Sequence, residues 1–321
     1  MVHTLDTMTM ALYTKAHLRP IYTAGELGLC LVYRLKMENR QLNYILNDLA
    51  DPAILEAIEA NPAEFFAYLG QAPRAEVYNG PDMMRMITGI PYPVCNTVFR
   101  ARIPGEQLDE RIEETLSHFK ARHLPMLWWT GPTSSPADLG ESLVAHGLVP
   151  AGSPSGMATD LEKLREDLPT PPGLTIERVR DAETLRRFGA ILSTVFEFPE
   201  FVTEGFIDIF GSMGLDAEQP LQNYVGFLDG ELVGGSSLFM GAGVAGIYNV
   251  GTIPAARGKG IGAAITLAPL LEARTRGYRT AILHASDLGY NVYRRLGFEE
   301  YCKMHIFAWM GGPTSEQVNQ A

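Results

Sequence analysis

The sequence predicts an α/β protein of two domains, and three observations carry that prediction. The chain has 321 residues, more than one ordinary core organises, so two domains of roughly 150 residues are expected. Two apolar runs flank Asp229-Gly230, the strongest short-range signal for a β-hairpin, because both turn residues must accept positive φ. A further apolar run leads into Arg257-Gly258-Lys259-Gly260-Ile261-Gly262 and then into a helical stretch, a strand–loop–helix order typical of mixed folds. With 46% hydrophobic and 20% charged residues, disordered, collagen-like and membrane classes are excluded.

The elements follow in order from a boundary. Leu161 to Gly173 joins a charged stretch to three prolines and a glycine and reads as a linker. Leu174–Val179 alternates as a strand, and Asp181 caps a helix whose apolar positions Leu185, Phe188, Ile191, Leu192 and Val195 keep helical spacing. The hairpin joins Tyr224–Leu228 to Glu231–Leu238. A fourth strand, Gly246–Thr252, ends at Ile253-Pro254 and feeds the glycine loop. The helix after the loop runs towards Gly277, with a bend or break expected at Pro269, which lacks a backbone donor. A strand over Thr280–His284, a helix through Tyr293 to Leu296, a stop at Gly297 and a last strand from Met304 to Trp309 complete the half.

The first half repeats this plan faintly. Ile103-Pro104 precedes Ile253-Pro254 by 150 residues, and Asp138-Leu139-Gly140 through Gly147-Leu148 echoes Asp287-Leu288-Gly289 through Gly297-Phe298. Between these marks Ile112–Phe119 reads as helix and Met126–Trp129 as a buried strand. A duplicated fold follows. Residues before Tyr78 resist the comparison.

Charge and cysteines bound the partners. The net charge of −11 disfavours nucleic acid and anionic membranes. Between Arg257 and Lys303, however, eight Lys or Arg stand against four Asp or Glu, a basic island suited to an anionic ligand and also to a solvated helix face. Cys30, Cys95 and Cys302 have no paired spacing, so no metal site is expected, and a reduced, cytoplasmic setting fits. The first residues, Met1 to Asp6, lack a signal-peptide pattern, and no apolar run approaches a membrane span.

The loop itself carries chemistry. A glycine loop between strand and helix points several N–H groups and a helix N-terminus at one place, which binds phosphate. Gly258, Gly260 and Gly262 let the backbone approach, while Arg257 and Lys259 bring charge. A structural turn, a nucleotide site and a coenzyme A site all fit these residues. Against a dinucleotide fold, the glycines follow a fourth strand and no acid lies about 20 positions on; against a phosphate loop, Gly258-Lys259 is followed by Gly260 rather than Ser or Thr.

Arg257-x-x-Gly260-x-Gly262 after Pro254, with Tyr293-Arg294-Arg295-Leu296-Gly297-Phe298 downstream, resembles the GNAT superfamily of acyl-coenzyme A-dependent N-acetyltransferases over about residues 174 to 309. The first half resembles a degenerate copy, as in tandem GNAT proteins. The resemblance implies two GNAT-like domains, residues 1–168 non-catalytic and 169–321 binding acetyl-CoA, each a mixed, mostly antiparallel central sheet flanked by helices. It places the pyrophosphate on Arg257, Gly258, Lys259, Gly260, Ile261, Gly262 and Ala263. The pantetheine arm falls along Val250, Gly251 and Thr252, beside Ser286, where many members carry Asn. Tyr293 becomes the general acid that protonates the departing thiolate, a role suited to a phenol that is protonated at neutral pH. Glu197 is a candidate general base, with Glu200 and His284 as further candidates, though solvated loop acids and a structural histidine are the commoner explanations. The implied reaction moves an acetyl group directly to a primary amine on a small molecule or peptide. The alternative is a non-catalytic acyl-CoA sensor. In the first half the loop's counterpart, Gln107 to Ile112, has no glycine and carries Asp109 and Glu110, which repel phosphate, and Leu143 or Val144 stands where Tyr293 does. Trp128 and Trp129 are candidates to line the acceptor pocket or to pack in the core.

Overall fold

The computed structural model describes residues 45–311; Cys30 and the first residues read above lie outside the described residues. In the first half, α1 (Asp51–Leu69) precedes β1 (Glu76–Asn79), β2 (Met84–Ile87) and β3 (Asn96–Phe99). Then come α2 (Leu108–Lys120), β4 (Met126–Thr130), α3 (Leu139–Ala145), β5 (Val149–Gly152) and β6 (Ser155–Asp160). The second half runs β7 (Leu174–Arg178), α4 (Ala182–Phe196), α5 (Glu200–Ser212), β8 (Leu221–Leu228), β9 (Glu231–Gly241) and β10 (Val244–Thr252). It closes with α6 (Ile261–Thr275), β11 (Thr280–Ala285), α7 (Asp287–Leu296), β12 (Glu299–Lys303) and β13 (His305–Trp309).

These form two mixed sheets, ordered β1-β2-β3-β4-β13-β5 and β12-β6-β11-β10-β9-β8-β7. Each contains one parallel pair, β3 with β4 and β10 with β11, among antiparallel neighbours. Apart from β7, which has no counterpart in the six-stranded sheet, the orders match once one exchange is recognised. β6, from the first half, lies between β11 and β12 of the second sheet, and β13, from the end of the second half, lies between β4 and β5 of the first. Each sheet therefore takes one strand from across the proline-rich segment. That segment is not a free linker at its start: Leu161 and Leu164 are buried in the second core, and Leu161 N–H donates to the Arg279 carbonyl at 2.7 Å.

Local chemistry explains the elements that set the site. Asp181 and Thr184 form a reciprocal capping box at the start of α4, closing two of the helix's orphan donors. Asp229 and Gly230 sit at φ 53° and 86°, the pair of positive values that a two-residue hairpin turn demands. The expected break at Pro269 does not occur: α6 is one helix through it. Proline at 269 leaves the Ile265 carbonyl without its partner four residues on. The Ser236 hydroxyl on β9 donates to that carbonyl at 2.7 Å, so the lost bond is replaced from the sheet.

Helix α1 was not foreseen from the sequence. From Ala57 to Leu69 it is buried on nearly all sides, because it lies between the sheets, against β2 and β3 of one and β9, β10, β6 and β12 of the other. A helix so enclosed shows no single apolar stripe, because most of its positions face one sheet or the other. Its buried polar residues are anchored: Asn61 donates to the Gly241 carbonyl at 2.7 Å and accepts from Tyr248 at 2.5 Å, and Ala242 N–H donates to Glu64 at 2.6 Å.

Candidate functional site

The centre of the second sheet opens where β10 and β11 part. They pair in parallel at Ala245–Ala281, Gly246–Ile282 and Ile247–Leu283 and at no later position. Immediately beyond, β10 bulges: its pairing with β9 shifts between Tyr248 and Gly251, and Asn249 adopts φ 54°. A bulge turns the strand and leaves backbone groups outside the ladder. Among the described residues no backbone hydrogen bond crosses from Val250–Thr252 to the chain after β11, so that edge is free for a ligand to pair with. The bulge is held by a chain of side chains: Asn249 donates to the Ser237 hydroxyl at 3.0 Å, and Ser237 donates to Asn223 at 2.6 Å.

Below the opening, the strand leads through a short turn at Pro254–Ala256 to the glycine loop. Arg257, Gly258, Lys259 and Gly260 are exposed. Gly258 and Gly260 take φ 79° and 84°, conformations that side chains disfavour. At Gly260 a Cβ would also stand 2.6 Å from the Pro169 carbonyl oxygen. Helix α6 starts with no side-chain cap and no acid in its first turn. Its first amides, at Ile261, Gly262 and Ala263, therefore face the loop's concavity with the positive end of the helix dipole behind them. Arg257 donates to the Thr252 carbonyl at 3.2 Å, tying loop to strand. The fit to a pyrophosphate rests on this uncapped, acid-free start.

On the other side of the opening, α7 begins after Ser286, which is exposed and makes no capping bond. Leu296 and Gly297, the latter at φ 102°, close it. Tyr293 is 8% exposed and packs in one apolar cluster with Leu283, Ala285 and the partly buried Val250. Burial pushes its phenol up to about 12, which keeps it protonated at any physiological pH. Its hydroxyl is not among the sealed, unpartnered polar atoms.

The structure separates the base candidates. Glu197 is the exposed C-cap of α4 at φ 54°, and Glu200 is exposed at the start of α5; neither is held against Tyr293 or Val250 by any bond among the described residues. His284 lies on β11 at the parting of the strands. Burial depresses its imidazole to about 4, against a hydrogen bond to the Ile58 carbonyl that acts the other way. Trp128 is fully buried in the first core. Trp129 is half-buried, stacked on Phe99 at 5.3 Å and edge-on to His284 at 5.9 Å.

The first sheet has the same parting but no opening. β3 and β4 pair at Thr97–Leu127 and Val98–Trp128, and Arg100 takes φ 54°. There Ser135 N–H donates to the Ala101 carbonyl and Ile103 N–H to the Ser135 carbonyl, both at 3.0 Å. The chain itself occupies the edge that stays free in the second sheet.

Residues 188–298 match the acetyltransferase (GNAT) family model. Over those residues the chain is similar to the GNAT acetyltransferases. The chain is also 28% identical over 193 residues to mycothiol acetyltransferase of Rhodococcus erythropolis, a match covering 50% of this chain and 63% of that protein; it thus spans less than two thirds of this relative's length. Among solved structures, a GCN5-related N-acetyltransferase from Kribbella flavida superposes with a TM-score of 0.61 at 18% identity, covering 84% of this chain and 99% of that one. A tandem GNAT protein from the clavulanic acid biosynthesis pathway gives 0.50 at 15% identity, covering 85% and 99%. At these identities the likeness is one of fold, and it extends across both sheets of the chain. Among the described residues no cluster of metal-ligating side chains occurs and no helix is long and apolar enough to cross a membrane.

Proposed function

We propose that the protein is an acetyl-CoA-dependent N-acetyltransferase that passes an acetyl group directly to a primary amine. The observation that carries the reading is the parting of β10 from β11 beside a bulge, with the uncapped start of α6 at one end and protonated Tyr293 at the other. The pyrophosphate would rest on Arg257, Gly258, Lys259, Gly260, Ile261, Gly262 and Ala263. The pantetheine would pair along Val250, Gly251 and Thr252 and pass Ser286. An amide at the bulge would polarise the thioester carbonyl as charge develops on its oxygen.

Amine attack then forms the N–C bond, the C–S bond breaks, Tyr293 donates its proton to the sulfur, and the proton shed by the amine nitrogen passes to solvent, from which the phenolate recovers its own. A phenol near 12 is a weak acid, but the proton moves as the thiolate leaves, when its basicity is greatest. Residues 1–168 are assigned no catalysis, because Ser135 holds the corresponding edge closed and Gln107–Ile112 lacks glycine. They contribute instead the helix α1, which packs against β9, β10, β6 and β12 of the second sheet.

Thiol release from acetyl-CoA across a panel of primary amines tests the reading. Tyr293→Phe is expected to lower kcat by about 10²-fold or more with little change in acetyl-CoA affinity. Tight binding with no turnover on any amine would point instead to a sensor.

A further inference from the structure

This inference deepens the acetyl-transfer reading above and rests on it. The two faces of the second sheet present different groups to the opening. On one face, Ser236 of β9 donates to the Ile265 carbonyl of α6, and Leu238 packs in the cluster that holds Tyr293. On the other face, Phe239 packs in a cluster with Phe188 of α4 and Phe65 of α1. Ser237 shares the face of Phe239, because side chains alternate along a strand. Asn249 donates its amide N–H to the Ser237 hydroxyl, so its side chain stands on the α1 and α4 face, across the sheet from Tyr293.

β10 runs beneath both helices. A Cβ added at Gly246 would collide with Asn61 of α1, and one added at Gly251 would stand 2.7 Å from Val195 of α4. Asn249 lies between these two contacts, half-buried, within the bulge and next to Val250, where the free edge begins. Its backbone takes φ 54°, a conformation that asparagine tolerates better than most residues. Its amide is held as well. Nδ2 donates to the Ser237 hydroxyl at 3.0 Å, and that hydroxyl donates onward to Asn223 at 2.6 Å, which leaves Oδ1 over. Among the described residues that oxygen has no hydrogen-bond partner, and it is not one of the polar atoms sealed from solvent. The neighbouring polar groups are committed: Tyr248 donates to Asn61, and Glu64 accepts from Ala242 N–H.

We propose that Asn249 Oδ1 binds the acceptor nitrogen and makes the site selective for primary amines. The uncharged amine donates one N–H to Oδ1, which aims its lone pair at the thioester carbonyl beside the bulge. Attack forms the N–C bond and leaves two hydrogens on a positively charged nitrogen. An amide oxygen accepts a hydrogen bond but is too weakly basic to take a proton, so Asn249 keeps one N–H while the other proton leaves to solvent. The C–S bond breaks, and Tyr293 protonates the sulfur from the opposite face. The N–H held by Asn249 becomes the N–H of the product amide. A secondary amine brings a single hydrogen to this stage, which cannot be both held and lost. The hydrogen bond strengthens as the nitrogen becomes charged, so its effect falls on kcat more than on KM.

The test assays the full chain for thiol release with ethanolamine, benzylamine and butylamine, each beside its N-methyl derivative. The wild type is expected to acetylate primary amines and to turn over the N-methyl derivatives slower by about 10-fold or more. Asn249→Gly, which keeps the positive φ, is expected to lower kcat roughly 10- to 100-fold with the acetyl-CoA Kd within about twofold. Asn249→Asp keeps the same φ and returns an oxygen, and is expected to recover most of that loss. A merely structural role in the bulge would weaken acetyl-CoA binding along the free edge together with the rate, and that result overturns the proposal. So does an unchanged kcat in Asn249→Gly, an Asn249→Asp variant no faster than Asn249→Gly, or equal turnover of primary and N-methyl amines by the wild type. If the wild type binds acetyl-CoA and acetylates no amine, the transfer reading itself fails and this inference falls with it; if amines are acetylated, the variants decide the inference alone.

Discussion

Replacing Gly262 with alanine separates a ligand's needs from the fold's. Gly262 is the second residue of α6 and is not among the glycines with positive φ. A Cβ added there meets only the Thr252 hydroxyl oxygen at 3.6 Å, an ordinary contact. In the unliganded protein the change removes nothing, and the gain in helix propensity stabilises the fold by up to about 1 kcal/mol. A pyrophosphate seated on the first turn meets the new methyl at close range. Loss of one charge-assisted hydrogen bond costs about 1.5–3 kcal/mol, which at about 1.4 kcal/mol per decade corresponds to roughly a 10- to 100-fold weaker Kd. Urea unfolding and calorimetric titration with acetyl-CoA read the two effects independently. The expected result is an unchanged or raised unfolding midpoint with weakened binding. An unchanged Kd would refute the placement of the pyrophosphate on this turn.

Two further outcomes follow from buried groups. Ser236→Ala leaves the Ile265 carbonyl without a donor and should cost about 1–3 kcal/mol; in a Pro269→Ala background, where an amide is restored, the same change should cost measurably less, as a double-mutant cycle of urea unfolding would show. His284 has its folded value depressed from 6.5 to about 4, so the unfolded chain binds the proton first as pH falls. Stability is full above about 6.5 and declines towards 4, by roughly 3 kcal/mol in total. His284→Gln should flatten the stability profile over that window, and an identical acid decline in wild type and variant would contradict the burial assigned to the ring.

Much of the second half is legible because local signals suffice. The Asp181 cap, the Asp229-Gly230 turn and Gly297 each act within a few residues, and the elements they delimit lie where they point. The features that were not legible depend on distant partners. β6 and β13 cross between sheets, a choice that no periodicity within either strand encodes, and β12 (Glu299–Lys303) was not read as a strand. α1 escaped notice because a helix buried between two sheets has no polar face to reveal its period. The continuity of α6 at Pro269 depends on a serine thirty-three positions earlier. For the site, the glycine loop and Tyr293 stand out by spacing, whereas the open edge at Val250–Thr252 and its blocked counterpart at Ser135 emerge only from pairing in three dimensions.

Calorimetric titration of the full chain with acetyl-CoA tests the central claim most directly. One equivalent bound per chain is predicted, at the opening between β10 and β11. Two equivalents would contradict the closure of the first sheet by Ser135, and no binding would contradict the assignment of the opening itself.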